Sequence, residues 1–160
     1  MFCIYEIKTP EGSFNVVSLL PHEEVFRKAL PSQAIVGILP ANATDLNPVQ
    51  FKPNREFIDF LHHVIVKYAP TIPDFQAEAK RQVDGWVYII DGRVDNPEGN
   101  VGREDILGGF QVQSGEVIPA SYLANPDHLL VSKRGLFQIE PLLEEKLLEE
   151  MRQLIANKRA

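Results

Sequence analysis

The sequence predicts an α+β fold in which a mainly antiparallel sheet is packed by about three helices, in a single domain spanning residues 1–160. Short runs of alternating apolar residues between turn residues are typical of strands. Longer segments place their apolar residues on one helical face. Twelve prolines bracket these segments, and no linker, repeat or low-complexity tract divides the 160 residues.

The N-terminal part of the chain predicts three strands and one short helix. Residues 2–7 and 14–20 are rich in β-favouring side chains, and residues 34–39 form a compact apolar run suited to a buried strand. A short amphipathic helix is predicted over residues 21–30, because proline suits the first helical turn. Residues 40–53 are predicted to be a loop.

Three further helices follow from capping and periodicity. Asn54 is suited to cap a helix whose apolar side chains recur on one face through Tyr68. A short polar helix is predicted over residues 74–82. Residues 141–157 predict an amphipathic C-terminal helix. Its apolar face comprises Leu143, Leu147, Leu148, Met151, Leu154 and Ile155.

The middle of the chain predicts the rest of the sheet. Residues 86–90 read as a strand with Trp86, Tyr88 and Ile90 on one face, and Val87 and Ile89 on the other. Residues 110–113 and 116–118 flank Ser114-Gly115, which predicts a hairpin that places Val112 opposite Val117. Residues 128–132 and 136–139 are further extended segments.

Charge and composition exclude several classes of function. Sixteen basic residues against twenty-two acidic ones give a net charge of −6, which argues against binding to nucleic acid or to anionic membranes. No apolar run reaches the roughly 18 residues of a membrane span. The lone Cys3 cannot form an internal disulfide, and no segment resembles a secretion signal, so a cytoplasmic location is expected.

Metal and cofactor signatures are missing from the sequence. Cys3 has no partner at zinc-ligand spacing, and His62 and His63 point in different directions on a helix. Neither a phosphate-binding loop nor a nucleophile elbow is present. We therefore expect no metal and no cofactor.

The richest polar constellation lies in residues 84–105, around an aromatic strand. Carboxylates at a strand end can bind a hard metal or act as acid and base, and arginines can orient an anionic ligand. The alternative is a solvated loop held by Arg–Asp pairs and turned by Asp91-Gly92. The candidate ligand-binding residues are Trp86, Tyr88, Asp91, Arg93, Arg103, Glu104, Asp105 and Tyr122.

Three functions stay open at this point. The leading hypothesis is a non-enzymatic domain that acts through protein contacts, either with another protein or as a homodimer. The alternatives are a hydrolase or transferase that uses the acidic 84–105 region, and a small-ligand binding module with aromatic walls and an arginine anchor. In a dimer, the C-terminal helix would supply the interface residues Leu147, Leu148, Met151, Leu154 and Ile155. The alternative, which is the commoner fate of an amphipathic helix, is that the same stripe covers the protein's own sheet.

Overall fold

The protein is described here by a computed structural model that covers residues 2–21, 30–43 and 45–157. Within these residues, three α-helices and several antiparallel sheets confirm the α+β class. The helix predicted over residues 21–30 lies, apart from its end residues, outside the described residues. The chain packs as two compact units. The first unit comprises Met1–Leu61, Leu130–Leu136 and Leu147–Ala160, and the second comprises His62–Leu129 and Phe137–Lys146.

The first unit contains a four-stranded antiparallel sheet in sequence order. Its strands are β1 (Cys3–Thr9), β2 (Gly12–Ser18), β3 (Gly37–Pro40) and β4 (Lys52–Pro53). The three predicted strands are thus confirmed with shifted ends, and β4 lies in a segment predicted to be a loop. Val16, Val17 and Leu39 bury their side chains in this unit. Alternation on β3 leaves Ile38, on the opposite face to Leu39, 39% exposed.

Asn54 explains why β3 begins later than the sequence predicts. Its side-chain amide donates to the carbonyl oxygens of Ser32 at 2.8 Å and Ile35 at 2.9 Å, and Ser32–Ala34 forms a 3₁₀ turn. These carbonyls are therefore not available to a strand ladder. The Asn54 carboxamide oxygen accepts a long hydrogen bond of 3.4 Å from the Glu56 amide, at the start of helix α1 (Arg55–Tyr68). One residue thus caps the helix and delays the start of β3, as its short polar side chain permits.

The second unit is built around strand β6. Its elements are α2 (Pro73–Gln82), β5 (Gly85–Ile90), β6 (Ile106–Gln113), β7 (Glu116–Val117) and β8 (Leu123–Ala124). Strand β6 pairs with β5 along one edge and with β7 and β8 along the other. The predicted hairpin is confirmed, with Val112 opposite Val117 and positive φ angles of 52° at Ser114 and 77° at Gly115. Helix α2 packs on this sheet through Ala79, which contacts Val87 and Val112.

The C-terminal elements complete the fold. Strands β9 (Val131–Ser132) and β10 (Gly135–Leu136) form a two-stranded ladder that is shorter than the extended segments predicted there. Helix α3 (Pro141–Asn157) has the predicted bounds. The Glu140 carboxylate accepts hydrogen bonds from the amides of Leu142 and Leu143, which satisfies donors at the helix start.

Two adjacent glycines in β6 test this sheet geometry. A Cβ added at Gly108 would meet the Tyr122 hydroxyl and lie 2.7 Å from the Leu123 carbonyl oxygen, which is backbone. A Cβ at Gly109 would lie 3.0 Å from the Tyr88 ring, which is 52% exposed and free to shift. We expect Gly108→Ala to lower the free energy of unfolding by about 1–3 kcal/mol and Gly109→Ala by less than about 1 kcal/mol. Urea unfolding of both variants measures the difference, and equal costs would contradict the geometry.

Candidate binding surface on the second unit

Strand β5 has two unlike faces. Val87 and Ile89 point inward and are 2% and 1% exposed, whereas Trp86, Tyr88 and Ile90 point to the other side. Trp86 and Ile90 are half-buried there, and Tyr88 is 52% exposed. The sequence pattern allows both faces of this strand to be covered, but the structure leaves the second face open. This difference creates a surface on which large apolar groups meet solvent.

A row of three residues crosses the open side of the sheet. Tyr88 on β5 lies opposite Gly109 on β6, and Gly109 lies opposite Leu123 on β8. Directly opposed residues of antiparallel strands point to the same face. Because Gly109 has no side chain, the Tyr88 ring lies over it, 3.0 Å from the position that a Cβ would take, and Leu123 on the other side is 65% exposed. We call the side of the sheet that carries Trp86, Tyr88, Gly109 and Leu123 the outer face.

A cavity of about 380 Å³ opens on the outer face. Its lining residues are Trp86, Tyr88, Arg103, Ile106, Gly108, Gly109, Leu123, Ala124, Asn125 and Pro126. Three of the sequence-predicted candidates, Trp86, Tyr88 and Arg103, are thereby brought together. The Arg103 guanidinium forms an ion pair of 2.5 Å with Asp127, and its side chain is 83% exposed.

A second depression of about 660 Å³ follows the edge of β5. Its lining residues are Glu78, Arg81, Gln82, Trp86, Tyr88, Ile90, Pro97 and Glu98, and we call it the edge groove. Within it, the Gln82 side chain accepts a hydrogen bond of 3.1 Å from the Trp86 amide. Glu78 pairs with Arg81 at 2.5 Å, and hydrogen bonds from Arg81 and Gln82 lower the pKa of Glu78 to about 2.

The candidates Asp91 and Arg93 lie in a buried cluster together with His128. The Arg93 guanidinium donates from Nε and Nη2 to the two Asp91 carboxylate oxygens, at 3.0 and 2.8 Å. His128 Nε2 lies 2.9 Å from Asp91 Oδ2, so the proton that it donates sits on that nitrogen. The backbone amides of Arg93 and Gln138 also donate to Asp91 Oδ1. The Asp91 side chain is 0% exposed and the Arg93 side chain 1%.

Burial and hydrogen bonding act on the Asp91 carboxylate in opposite directions. Burial raises the pKa, because it disfavours the charged form. Hydrogen bonds from His128 and Arg93, with the positive charge of Arg93, more than offset that effect and lower the pKa below the ordinary value. Asp91 is therefore a charged acceptor whose hydrogen bonds are all made inside the protein, which suits a structural role.

The remaining predicted site residues lie elsewhere. Asp105 is 5% exposed, whereas Glu104 is exposed. Tyr122 lies on the inner side of the sheet, where its ring packs 4.7 Å from Phe110 and its hydroxyl hydrogen-bonds His62 Nδ1 at 2.7 Å. Burial raises the pKa of the Tyr122 hydroxyl. The eight candidates thus do not form one site.

Sequence reasoning missed several residues of these arrangements. His128 lies 37 residues from Asp91, and His62 lies 60 residues from Tyr122. No local spacing signals either pair, because strand order decides which distant residues meet. The contribution of Gln138 is a backbone amide, which any residue type other than proline supplies.

The described residues contain no group of three or more His, Cys, Asp or Glu side chains arranged to hold a metal ion. Among the helices described, none has both the length and the apolar character needed to cross a membrane. Comparisons with protein-family models, curated proteins and solved structures find no match.

The buried cluster yields a stability prediction. Asp91→Asn leaves the Arg93 charge buried beside a neutral partner, and we expect it to lower the free energy of unfolding by about 3–5 kcal/mol. Asp59→Asn is the matched control, because Asp59 pairs with Arg55 at 3.1 Å in a 62% exposed position and should cost at most about 1 kcal/mol.

The contribution of Asp91 to the free energy of unfolding also depends on pH. Since folding lowers the Asp91 pKa, its stabilising contribution is full above the unfolded pKa of about 3.9 and is lost as the pH falls further, toward the folded pKa. Denaturant titrations between neutral and acidic pH should show a smaller loss for Asp91→Asn than for the wild type. Parallel curves for the two proteins would show that Asp91 makes no such contribution.

Proposed function

We propose that this protein is a non-enzymatic binding module that contacts a protein partner through the outer face of its second unit. The observation that carries the proposal is the row of Tyr88, Gly109 and Leu123, in which two large apolar side chains stand 52% and 65% exposed on either side of a glycine. Contiguous exposed apolar surface on a folded protein marks interaction sites.

The chemistry of the outer face suits a protein partner. Aromatic side chains are enriched among the residues that dominate binding energy, and Trp86 and Tyr88 lie two residues apart on one strand. The Arg103–Asp127 ion pair is exposed and lies beside the apolar cavity, as polar groups do at the rim of protein interfaces.

The hydrolase or transferase alternative has less support. Its acidic region divides between the buried Asp91 and Asp105 and exposed carboxylates such as Glu104. A carboxylate whose hydrogen bonds are all made inside the protein cannot reach the proton of a substrate. We therefore rank this alternative below binding.

A small-ligand binding module is the second candidate, and the cavity of about 380 Å³ favours it. That volume falls within the range of small-molecule sites, and Trp86 and Tyr88 provide apolar walls. Arg103 would anchor an anionic group, in exchange for its contact with Asp127. Saturable binding of a small anionic molecule that is lost in Arg103→Ala would favour this candidate over a protein partner.

The proposal also includes a cytoplasmic location and self-association through α3. A single free thiol, at Cys3, suits the reducing cytoplasm. Of the predicted interface residues on α3, Leu147 and Met151 are fully buried and Ile155 is 5% exposed within one chain. Leu148 and Leu154 are half-buried, so a second copy docking on this helix would contact these two.

The proposal predicts that binding depends on the outer face. Ligands are selected by displaying a random dodecapeptide library against the full chain, and enriched peptides are synthesised and titrated by calorimetry. Tyr88→Ala and Leu123→Ala should each weaken their affinity by at least about tenfold, because truncating an interface anchor removes a large share of the binding energy. Circular dichroism checks that both variants remain folded.

Val49→Ala is the matched control for these substitutions. Val49 lies in the first unit and is 93% exposed, so its truncation removes apolar surface without touching the outer face. Its affinity should equal that of the wild type. A selection that enriches no peptide, or peptides that bind all four proteins equally, would refute the proposed function.

A further inference from the structure

The free edge of β5 carries main-chain hydrogen-bonding groups that the sheet does not use. Strand β5 ends the order β5-β6-β7, and no described strand pairs with its other side. An unpaired sheet edge is a template on which another extended chain can add. Which groups are available depends on how β5 pairs with β6.

The hydrogen-bond partners of β6 show which main-chain groups of β5 point to the free edge. The Gln111 carbonyl accepts from the Ile118 amide, and the Gln111 amide donates to the Ser121 hydroxyl, so both groups of Gln111 point away from β5. Main-chain groups alternate in direction along an antiparallel strand. Trp86 and Tyr88, which face Gln111 and Gly109, are therefore the non-hydrogen-bonded partners. The N–H and C=O of Tyr88 consequently point to the free edge.

The edge is closed at one end and open at the other. The Trp86 amide donates a hydrogen bond to the Gln82 side chain, so it is not available to an added strand. Gln82 is itself held in place, because it donates a hydrogen bond of 2.9 Å to Glu78. No side chain in the described residues covers the Tyr88 main chain in this way, although the edge groove runs past it. An added strand would thus meet Tyr88 and extend toward Ile90.

The charges of the edge groove select among extended chains. Glu78 forms an ion pair with Arg81, and Arg81 also has a weaker electrostatic attraction to Glu98. No ion pair within the described part of the chain involves Glu98, so the groove carries one negative charge in excess. A lysine or arginine in the ligand would offset that charge, whereas an acidic residue would be repelled.

We propose that the partner is an extended peptide segment of another protein, which adds as a strand to the β5 edge at Tyr88. It presents an apolar side chain to the outer face and a cationic side chain to Glu98. The inference rests on the proposed function and specifies the chemistry of its partner. Main-chain hydrogen bonds give such complexes affinity, and alternate side chains give them specificity.

A second copy of this chain is the less favourable occupant. Edge-to-edge pairing of two β5 strands would bring together two edge grooves that each carry an excess negative charge. Like charges placed together at an interface disfavour association. Light scattering of the wild type and of Tyr88→Pro separates this case from peptide binding and from a dimer formed through α3, because only pairing at the β5 edge needs the Tyr88 N–H.

The test uses the peptides selected on the full chain. Each backbone amide of a bound peptide is N-methylated in turn, which removes one donor without changing a side chain. Amides that pair with the edge alternate with amides that point away. We therefore expect affinity to fall about two- to twelvefold at every second position across the paired segment and to change little at the positions between them.

Substitutions in the protein supply an independent measurement. Tyr88→Pro and Tyr88→Ala both remove the aromatic ring, but only the proline substitution also removes the backbone N–H at the edge. Proline is tolerated on an edge strand where the N–H faces solvent. The proline variant should bind about two- to twelvefold more weakly than the alanine variant, which is the net contribution of one hydrogen bond. If circular dichroism shows that the proline variant is unfolded, the N-methyl scan decides alone.

Glu98→Gln tests the charge, with Glu104→Gln as its control. Both residues are exposed and both changes alter the net charge equally, but only Glu98 lines the edge groove. Peptides with a cationic residue should lose about two- to fivefold in affinity for the Glu98 variant and nothing for the control. Equal effects of the two substitutions would overturn the charge assignment.

The outcomes separate this inference from the proposed function. Binding that is sensitive to Tyr88→Ala and Leu123→Ala but lacks the alternating N-methyl pattern overturns the edge inference alone. An alternating pattern without any effect of Leu123→Ala supports the edge and refutes the outer face. A stable dimer that excludes every peptide would assign the edge to a second copy.

Discussion

The buried Asp91 carboxylate is the interaction on which the second unit depends. It accepts hydrogen bonds from the Arg93 guanidinium and amide, from His128 and from the Gln138 amide, so it ties two distant stretches of chain to the end of β5. A charge with so little exposure is tolerable only if every one of these donors stays in place. The cluster therefore fixes the position of β5, and with it the side chains that β5 presents to solvent.

The two faces of β5 differ, since one face is buried and the other carries the proposed binding surface. Inward-pointing Val87 and Ile89 are buried, and Ala79 of α2 packs against Val87. Tyr88, between them in sequence, points outward over Gly109, where the lack of a side chain leaves room for the ring. Because alternation along a strand is strict, packing that buries one face necessarily presents the other. A rigid strand that exposes an aromatic side chain and an unpaired edge is well suited to binding, since little freedom is lost on association.

Local signals in the sequence predict much of this fold but little of the site. Ser114-Gly115 specifies the hairpin, and the apolar period of residues 141–157 specifies α3 with its observed bounds. The Arg–Asp pairing considered for the 84–105 loop does occur, but it is buried, since His128 and Gln138 cover it from distant positions. Likewise, residue type alone was enough to predict Trp86 and Tyr88 as candidate binding residues. Their exposure to solvent could not be predicted, because it follows from strand order, which one sequence does not encode locally.

Native-state amide exchange of β5 tests the central claim, that Tyr88 presents an unpaired main chain at the sheet edge. The account predicts that the Val87 and Ile89 amides, which bond to β6, are strongly protected, whereas the Tyr88 amide exchanges at least about a hundredfold faster without unfolding of the sheet. Residue-resolved exchange followed by NMR on the full chain gives this comparison directly. Protection of Tyr88 equal to that of its two neighbours would mean that the edge is already covered, and it would contradict the account.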